Sequence, residues 1–136
     1  MHEVIYHDDR DFTLDDVIPL YIACDWSSAR KPDALLAALR SSHCVFHARV
    51  DGRMVGLGNA ISDGHLVVYY PHLLVHPDFE RLGIGTGIMR RLMDRYMDFH
   101  QQMLTADHDA VAFYERNGFV RAGSTVSMWI YGGDEH

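Results

Sequence analysis

Between residues 66 and 96 a long apolar strand pattern runs through a glycine-bearing turn into a helical pattern. Residues 66–75 are mostly apolar, as expected for a central strand that is buried on both faces. Pro71 interrupts this run, and because proline has no amide hydrogen for the strand ladder, we expect a bulge or a splayed edge there. Residues 88–96 then repeat apolar side chains at helical spacing. The chain must therefore fold a strand, a tight turn and a helix in direct succession.

The rest of the chain predicts a mixed α/β fold. Thr13 is typical of a helix N-cap, and Pro32 begins a second helical pattern. Residues 43–50 and 54–61 read as strands around an Asp-Gly hairpin signal. The remaining predicted elements are a short strand at 3–6, a strand at 102–105, a helix at 110–117 capped by Asp109, and two last strands at 119–121 and 125–131.

This order predicts a mostly antiparallel sheet of six to seven strands, splayed at the fourth strand and flanked by about four helices. A chain of 136 residues suits one domain, 1–136, with a single core.

Composition excludes several classes of function. The formal net charge is -7 and no run of lysine and arginine is long enough to follow a nucleic-acid backbone. No stretch approaches the ~20 apolar residues that span a bilayer. The two cysteines form no CxxC pair and are interpreted as reduced thiols, and the ten histidines lack metal-ligand spacing. We expect a cytoplasmic protein without metal, nucleic-acid or membrane partners.

The glycine turn is the first candidate for a binding site. Gly83 and Gly85 allow the backbone to approach a ligand closely, and the first amides of the next helix have no partners inside that helix. Such a turn can hold a pyrophosphate. A dinucleotide fingerprint would need glycine where Ile88 stands, and no Walker lysine is present. From these residues alone, a plain strand-to-helix turn is equally compatible.

A second segment, residues 107–119, reads as a helix closed by Gly-Phe. Together the two segments resemble the GNAT superfamily of Gcn5-related N-acetyltransferases. The family's Arg/Gln-x-x-Gly-x-Gly/Ala loop lies over residues 80–85. Its Asn-x-x-Ala-x-x-Phe/Leu-Tyr-x-x-x-Gly-Phe segment lies over 107–119, at the family's spacing. The resemblance implies transfer of an acetyl group from acetyl-CoA to a primary amine by direct attack.

The resemblance also implies a coenzyme A site made largely of backbone groups. Strand residues 73–75 are expected to face the pantetheine arm, and the amides of residues 81–86 to hold the pyrophosphate. Tyr114 is expected near the thioester sulfur, where its phenol can donate a proton to the leaving thiolate; otherwise it is a core aromatic. The expected cofactor residues are Leu73, Leu74, Val75, Arg81, Leu82, Gly83, Ile84, Gly85, Thr86, Asp107 and Tyr114.

Two residues depart from the family pattern. Glu80 stands where glutamine or arginine is usual, and a carboxylate beside a pyrophosphate is unfavourable unless it turns to solvent or pairs with Arg81. Asp107 replaces the usual asparagine and so removes two amide donors beside the pantetheine. We therefore expect weaker cofactor binding rather than none.

The base and the acceptor site are less constrained. His72 is the first candidate for general base, since it lies beside the expected bulge; a water chain ending on Asp25 or His43 is an alternative. A backbone amide at Leu73 or a neighbour is expected to polarise the thioester carbonyl. Expected acceptor-binding residues are Asp25, Trp26, Tyr69 and Tyr70, with Tyr21 in the same aromatic wall, unless Trp26 only anchors its loop.

Several functions remain open from the sequence. A small-molecule amine is favoured as acceptor over a protein lysine or N-terminus. The alternatives are an acyl-CoA sensor without catalysis on the same fold, a different nucleotide-phosphate binder, and an interaction module. The resemblance also allows a homodimer in which the late strands pair between copies.

Overall fold

The sheet is organised around one long central strand. In the computed structural model, which describes residues 3–133, six strands form one open sheet. They are β1 (Ile5–His7), β2 (Cys44–Val50), β3 (Arg53–Ser62), β4 (Val67–Tyr69), β5 (Leu73–Val75) and β6 (Gln101–Met103). β3 pairs with β2 along one edge and with both β4 and β5 along the other, all antiparallel. β6 joins the outer edge of β4 in parallel. The mixed, mostly antiparallel sheet is confirmed.

Helices cover both faces of this sheet. The four α-helices of the described residues are α1 (Leu14–Ala23), α2 (Pro32–Arg40), α3 (Ile84–Arg95) and α4 (Val111–Arg116). α1 and α2 pack on the face that carries Val45, Leu57 and Leu74. α3 packs on the opposite face, where the alternate residues of β2 join its core. At the start of α1 the backbone N–H of Thr13 donates to Asp16 Oδ2 at 2.9 Å, so the predicted N-cap position is confirmed.

Two glycines of β3 allow α3 to lie directly on the sheet. A Cβ added at Gly56 would lie 2.7 Å from Ile84 Cγ2, and one at Gly58 would lie 2.7 Å from Ile88 Cγ2. Any larger residue would have to push the helix outward, because cores are packed too densely to absorb an extra carbon without strain. The close approach fixes the first turn of α3 beside the end of β5.

The strand after the second hairpin is broken at the predicted position. β4 and β5 both follow β3, but residues 70–72 between them leave the ladder. The Asn59 N–H donates to the His72 carbonyl at 3.2 Å, whereas the His72 N–H donates to the Asn59 side-chain oxygen at 3.1 Å. Tyr70 N–H turns instead to the Met103 carbonyl at 3.0 Å. The expected splay at Pro71 is confirmed, and Asn59 holds it.

The last part of the chain differs from prediction. Residues 119–131 contain no strand in the structure, so the two strands predicted there are wrong. Residues 120–131 leave the fold as irregular chain, and Met128 and Ile130 are 92% and 106% exposed. An alternating apolar pattern favours an extended backbone, but a strand exists only where an edge pairs with it. Asp109 also does not cap α4, since it lies inside a 3₁₀ turn (His108–Ala110) that precedes the helix.

We expect Asn59→Ala to destabilise the protein by about 1–3 kcal/mol, because it leaves the partly buried His72 N–H without its acceptor. Urea unfolding measures the stability, and amide hydrogen exchange at His72 reads the lost bond directly. Ser42→Ala is the matched control, since the Ser42 hydroxyl accepts from the other end of the same amide, Asn59 Nδ2, at 3.0 Å. Unchanged exchange at His72 in Asn59→Ala would contradict the account.

Candidate functional site

The outer edge of β5 carries main-chain groups that point away from the sheet. Hydrogen-bonded pairs alternate along an antiparallel ladder. Residues 59 and 72 form one such pair, because the Asn59 N–H donates to the His72 carbonyl, and residues 55 and 76 form another, because the His76 N–H donates to the Val55 carbonyl. Leu57 and Leu74 therefore form the hydrogen-bonded pair that lies between these two. The N–H and C=O groups of Leu73 and Val75 therefore face outward. No strand in residues 3–133 pairs with that edge.

Leu74 differs from the other two residues of β5. Its main-chain groups turn toward β3 and its side chain is buried among those of α1 and α2. The expectation that all three strand residues offer main-chain groups to a ligand is therefore wrong for Leu74, because neighbouring residues of a strand point in opposite directions. Only Leu73 and Val75 are available.

Cys24, one residue beyond α1, reaches the same edge. Its thiol donates to the Val75 carbonyl at 3.3 Å, which shows that this carbonyl points away from β3. Burial, followed by the nearby Glu80 carboxylate, raises the pKa of the Cys24 thiol to about 11. The group is thus a neutral thiol near pH 7. The sequence offered no signal for this position, because α1 and β5 are about 50 residues apart.

The glycine turn presents the first amides of α3. Gly83, with φ of 75°, is the N-cap residue, and Arg81 also has a left-handed φ of 68°. The first bond inside the helix runs from Gly87 N–H to the Gly83 carbonyl at 2.9 Å. The amides of residues 84–86 therefore have no intrahelical partner and point along the positive end of the helix dipole. Such a group of donors suits a phosphate anion.

Gly85 is the point where three elements meet. A Cβ at this position would lie 3.3 Å from Phe113 Cζ on α4 and 3.6 Å from Val75 Cγ2 on β5. The absent side chain thus lets α4 and the end of β5 close around the first turn of α3. The two sequence segments that carried the family resemblance are brought into contact here.

Tyr114, on α4, follows Phe113 directly. Its ring packs against Phe119 with centroids 5.9 Å apart, and it is partly buried. Burial, and then the charge of Asp107, raise the pKa of the Tyr114 phenol to about 12. The hydroxyl is therefore protonated at neutral pH and can donate a hydrogen bond.

His72 stands at the splay, on the face of the sheet that α1 covers. Its Nδ1 lies 2.7 Å from the hydroxyl oxygen of the fully buried Tyr21. The Trp26 ring packs edge-on against the imidazole with centroids 4.8 Å apart. The structure thus brings together His72 and two of the aromatic residues expected at the acceptor site.

The end of α1 explains how Trp26 reaches His72. Asp25 has a left-handed φ of 59°, and its N–H donates to the Ile22 carbonyl at 3.0 Å. The Trp26 N–H donates to the Tyr21 carbonyl, also at 3.0 Å. These two bonds form a Schellman motif, with aspartate where glycine is usual. The motif turns the chain back, so the Trp26 ring packs edge-to-face with the Tyr21 ring while the Asp25 side chain is exposed.

The remaining aromatic candidates lie elsewhere. Tyr70 is 5% exposed, donates to Gln102 Oε1 at 2.7 Å and packs against Tyr96 and Phe119, so it belongs to the core on the α3 side. Tyr69 is 38% exposed, on the opposite side of the strand. A single wall of all four aromatic residues does not form. His43, the alternative base, has its Nδ1 2.7 Å from the Tyr96 hydroxyl.

Residues 3–133 hold no group of three or more histidine, cysteine, aspartate or glutamate side chains that could ligate a metal ion. Nor do they include a helix with the length and apolar character that crossing a bilayer requires.

The comparisons with known proteins agree with this geometry. The family model described as "Acetyltransferase (GNAT) family" matches residues 4–119. The GNAT family acetyltransferase SP0256 of Streptococcus pneumoniae superposes with a TM-score of 0.83 at 27% identity, over 96% of this chain and 99% of that one. The aminoglycoside N-acetyltransferase AAC(6')-Iy, solved with CoA, shares the fold with a TM-score of 0.67 at 14% identity, over 96% and 95% of the two chains.

Curated sequences give the same family. An N-acetyltransferase named ycf52 from Porphyra purpurea is 32% identical over 71 residues, which are 51% of this chain and 41% of the relative. The probable acetyltransferase TAP2 of Glycine max is 29% identical over 118 residues, or 76% of this chain and 48% of the relative. The chain thus spans less than half the length of these relatives. Since the family model covers most of its residues, the chain belongs to the GNAT family of acetyltransferases.

Proposed function

We propose that this protein transfers the acetyl group of acetyl-CoA to a primary amine, by direct attack of the neutral amine on the thioester. The observation that carries the proposal is the unpaired edge of β5, which ends beside the free amides at the start of α3. These elements offer donors for a diphosphate and main-chain groups for an amide-bearing arm, and Tyr114 on the neighbouring α4 carries a protonated phenol.

The residues present fit acetyl-CoA in chemical character. Main-chain groups of Leu73 and Val75 would pair with the amides of the pantetheine arm as an added strand does. The amides of residues 84–86, with the turn at 81–83, would hold the pyrophosphate. Asp107 begins the 3₁₀ turn that leads into α4 and would flank the arm. Glu80 is exposed, so its carboxylate can remain in solvent.

The chain supplies polarisation and proton donation. Acetyl-CoA, when bound, supplies an acyl carbon activated as a thioester. The Leu73 N–H faces outward and would polarise the carbonyl as negative charge develops on it. As the new C–N bond forms and the C–S bond breaks, the Tyr114 hydroxyl would give its proton to the departing sulfur. The amide nitrogen would then lose its extra proton to solvent, and solvent would return a proton to Tyr114. His72 stands on the opposite side, where the acceptor would enter.

We infer a small amine as the acceptor. The Trp26 and His72 rings lie in contact on this side of the splay, and aromatic groups of this kind would suit a cationic or aromatic substrate. The exposed Asp25 lies next to Trp26 in sequence. An aralkylamine or polyamine fits this arrangement better than a folded protein. A panel of amines, screened by release of coenzyme A, tests the class; turnover with peptide lysines alone would contradict it.

Acetyl-CoA is expected to raise the melting temperature, because ligand at 100 times its Kd stabilises a protein by about 2.7 kcal/mol. Adenosine, which lacks the diphosphate, should shift the melting temperature little.

Gly85→Val should weaken acetyl-CoA binding at least tenfold, about 1.4 kcal/mol, since the methyl groups of the valine would force Phe113 away from α3. Gly85→Ala should lie between the two. Unchanged affinity in Gly85→Val, measured by calorimetry, would show that the loop lies outside the binding site.

Tyr114→Phe is expected to lower kcat roughly 100-fold, in the range of a lost general acid, while acetyl-CoA affinity stays within about twofold. Steady-state kinetics and calorimetry give the two values. Tyr70→Phe is the matched control, since the Tyr70 ring packs against the same Phe119 and the change removes a partly buried hydroxyl, which donates to Gln102. Equal turnover of Tyr114→Phe and wild type would remove the acid role.

We also infer a homodimer formed by exchange of the C-terminal segment, residues 125–131. In residues 3–133 the edge of β6 opposite β4 has no paired strand. The segment exposes apolar side chains on both of its sides, as an unpaired inner strand would, and it ends where Tyr131 Oη lies 3.3 Å from Ser27 Oγ. Each copy offers the open edge of β6 and one such segment, so reciprocal pairing closes with two-fold symmetry.

Light scattering on a sizing column is expected to give a dimer for the wild type and a monomer for the double variant Met128→Asp, Ile130→Asp. The two charges would be buried between strands on pairing. Met97→Asp is the control, because Met97 is 71% exposed but lies outside the segment. A monomeric wild type at tens of micromolar would refute the exchange.

A further inference from the structure

Beyond the splay, the face of the sheet opposite α3 is apolar and open to solvent. On the α3 side of β4, Val68 is buried in the core. On the other side, the core beneath α1 and α2 takes its sheet residues from β2, β3 and β5, and within residues 3–133 it includes none from β4 or β6. Ile61, Tyr69 and Met103 are 54%, 38% and 43% exposed there.

These three side chains form one row across the sheet, which we call the apolar row. Ile61 of β3 is directly opposite Tyr69 of β4, and Tyr69 is directly opposite Met103 of β6. Residues that are directly opposite each other on paired strands carry their side chains on the same face. Neighbouring strands are about 4.8 Å apart, so the apolar row is about 10 Å long.

The apolar row begins one step along β3 from the splay. Leu57 packs beneath α1 and α2, and Asn59 holds the parted backbone at residue 72. Ile61 follows on the same face, because side chains of alternate residues in a strand point the same way. Two residues of strand span about 7 Å. A small molecule whose amine lies at the splay can therefore rest its body on the row.

We propose that the apolar row binds the body of the acceptor, and that the acceptor is an aralkylamine with a single positive charge. This inference rests on the proposed acetyl transfer and narrows its acceptor class. The row carries no charged side chain, so the second ammonium of a polyamine would lose water over hydrocarbon without gaining a partner. The next carboxylate along β3, Asp63, already accepts the His65 and Leu66 N–H groups through Oδ1, at 2.9 and 2.8 Å.

A second copy of the chain is the competing occupant of this face. The three side chains of the apolar row offer far less than the roughly 800 Å² that each partner buries in a stable protein interface. The exchange of residues 125–131 would add a strand at the edge of β6, which leaves the face of the sheet open. A small apolar body therefore fits the row better than another protein.

Methyl spectra can detect binding to the row without turnover. Met103 lies on the row, and Met97, which is 71% exposed two residues beyond α3, serves as the internal control. With coenzyme A present, 2-phenylethylamine is expected to shift the Met103 methyl signal and leave that of Met97 in place, while 1,4-diaminobutane moves neither. A Met103 signal that ignores 2-phenylethylamine, or that responds equally to both amines, would overturn the proposal. A shift with protein concentration alone would assign the face to a second copy.

Ile61→Glu tests the charge preference, because it places a carboxylate on the row one step from the splay. We expect kcat/KM for 2-phenylethylamine to fall about tenfold, in the range of a lost apolar contact, and kcat/KM for 1,4-diaminobutane to rise. Ile61→Leu keeps the apolar surface and should retain most of the activity. Met97→Glu adds the same charge at another exposed position and should change neither value.

Two kinetic results would refute the proposal. One is a wild type that prefers 1,4-diaminobutane to 2-phenylethylamine, and the other is an equal effect of Met97→Glu and Ile61→Glu, which would reduce the effect to overall charge. If no amine is acetylated, the proposed function fails, while the Met103 spectra still decide whether the row binds an aralkylamine.

Discussion

The hydrogen bond from the His72 N–H to the Asn59 side chain is the interaction on which the site depends. In an ordinary ladder that N–H would bond to a main-chain carbonyl, and β4 and β5 would form one strand. The side chain moves the acceptor position, and Pro71 removes the neighbouring donor. The strand therefore parts, and β4 continues toward β6 while β5 keeps an unpaired edge. The separation thus leaves the outward main-chain groups of Leu73 and Val75 without a paired strand among the described residues.

Close packing then brings the anion site to the end of that edge. Gly56 and Gly58 let α3 lie on β3, and Gly85 lets α4 close against α3 and Val75. These three positions require glycine because a side chain would clash with the neighbouring helix, whereas position 83 favours glycine because its backbone is left-handed. The free amides at the start of α3 therefore lie beside the end of β5 and beside α4, the helix that carries Tyr114.

Three side chains around the candidate site, those of Tyr114, Cys24 and Tyr21, are protonated and neutral near pH 7. Burial raises the pKa values of Tyr114 and Cys24 to about 12 and 11, and raises that of Tyr21 as well. These groups therefore remain in the form that can donate a hydrogen bond. This agrees with a reaction in which negative charge develops on a carbonyl oxygen and on a leaving sulfur. Backbone amides, which need no ionisation, would stabilise the charge of the diphosphate.

The sequence alone determined those features that depend on neighbours in the chain. The strand, turn and helix at 66–96, the capped start of α1, the break at Pro71 and the helix before Gly118 follow from periodicity and from local backbone preferences. The family could be identified for the same reason, because its two motifs are contiguous segments. The position of Leu74 could also have been anticipated from strand alternation once the register was known.

Only the tertiary structure decided which distant groups meet. It buried Tyr70 and joined Tyr21 to His72, brought Cys24 to Val75, and left residues 125–131 without a paired strand in the part of the chain that the structure describes. Local pattern cannot specify these outcomes, because a strand needs an edge and a buried hydroxyl needs a hydrogen-bond partner, and both are supplied by residues far away in the sequence.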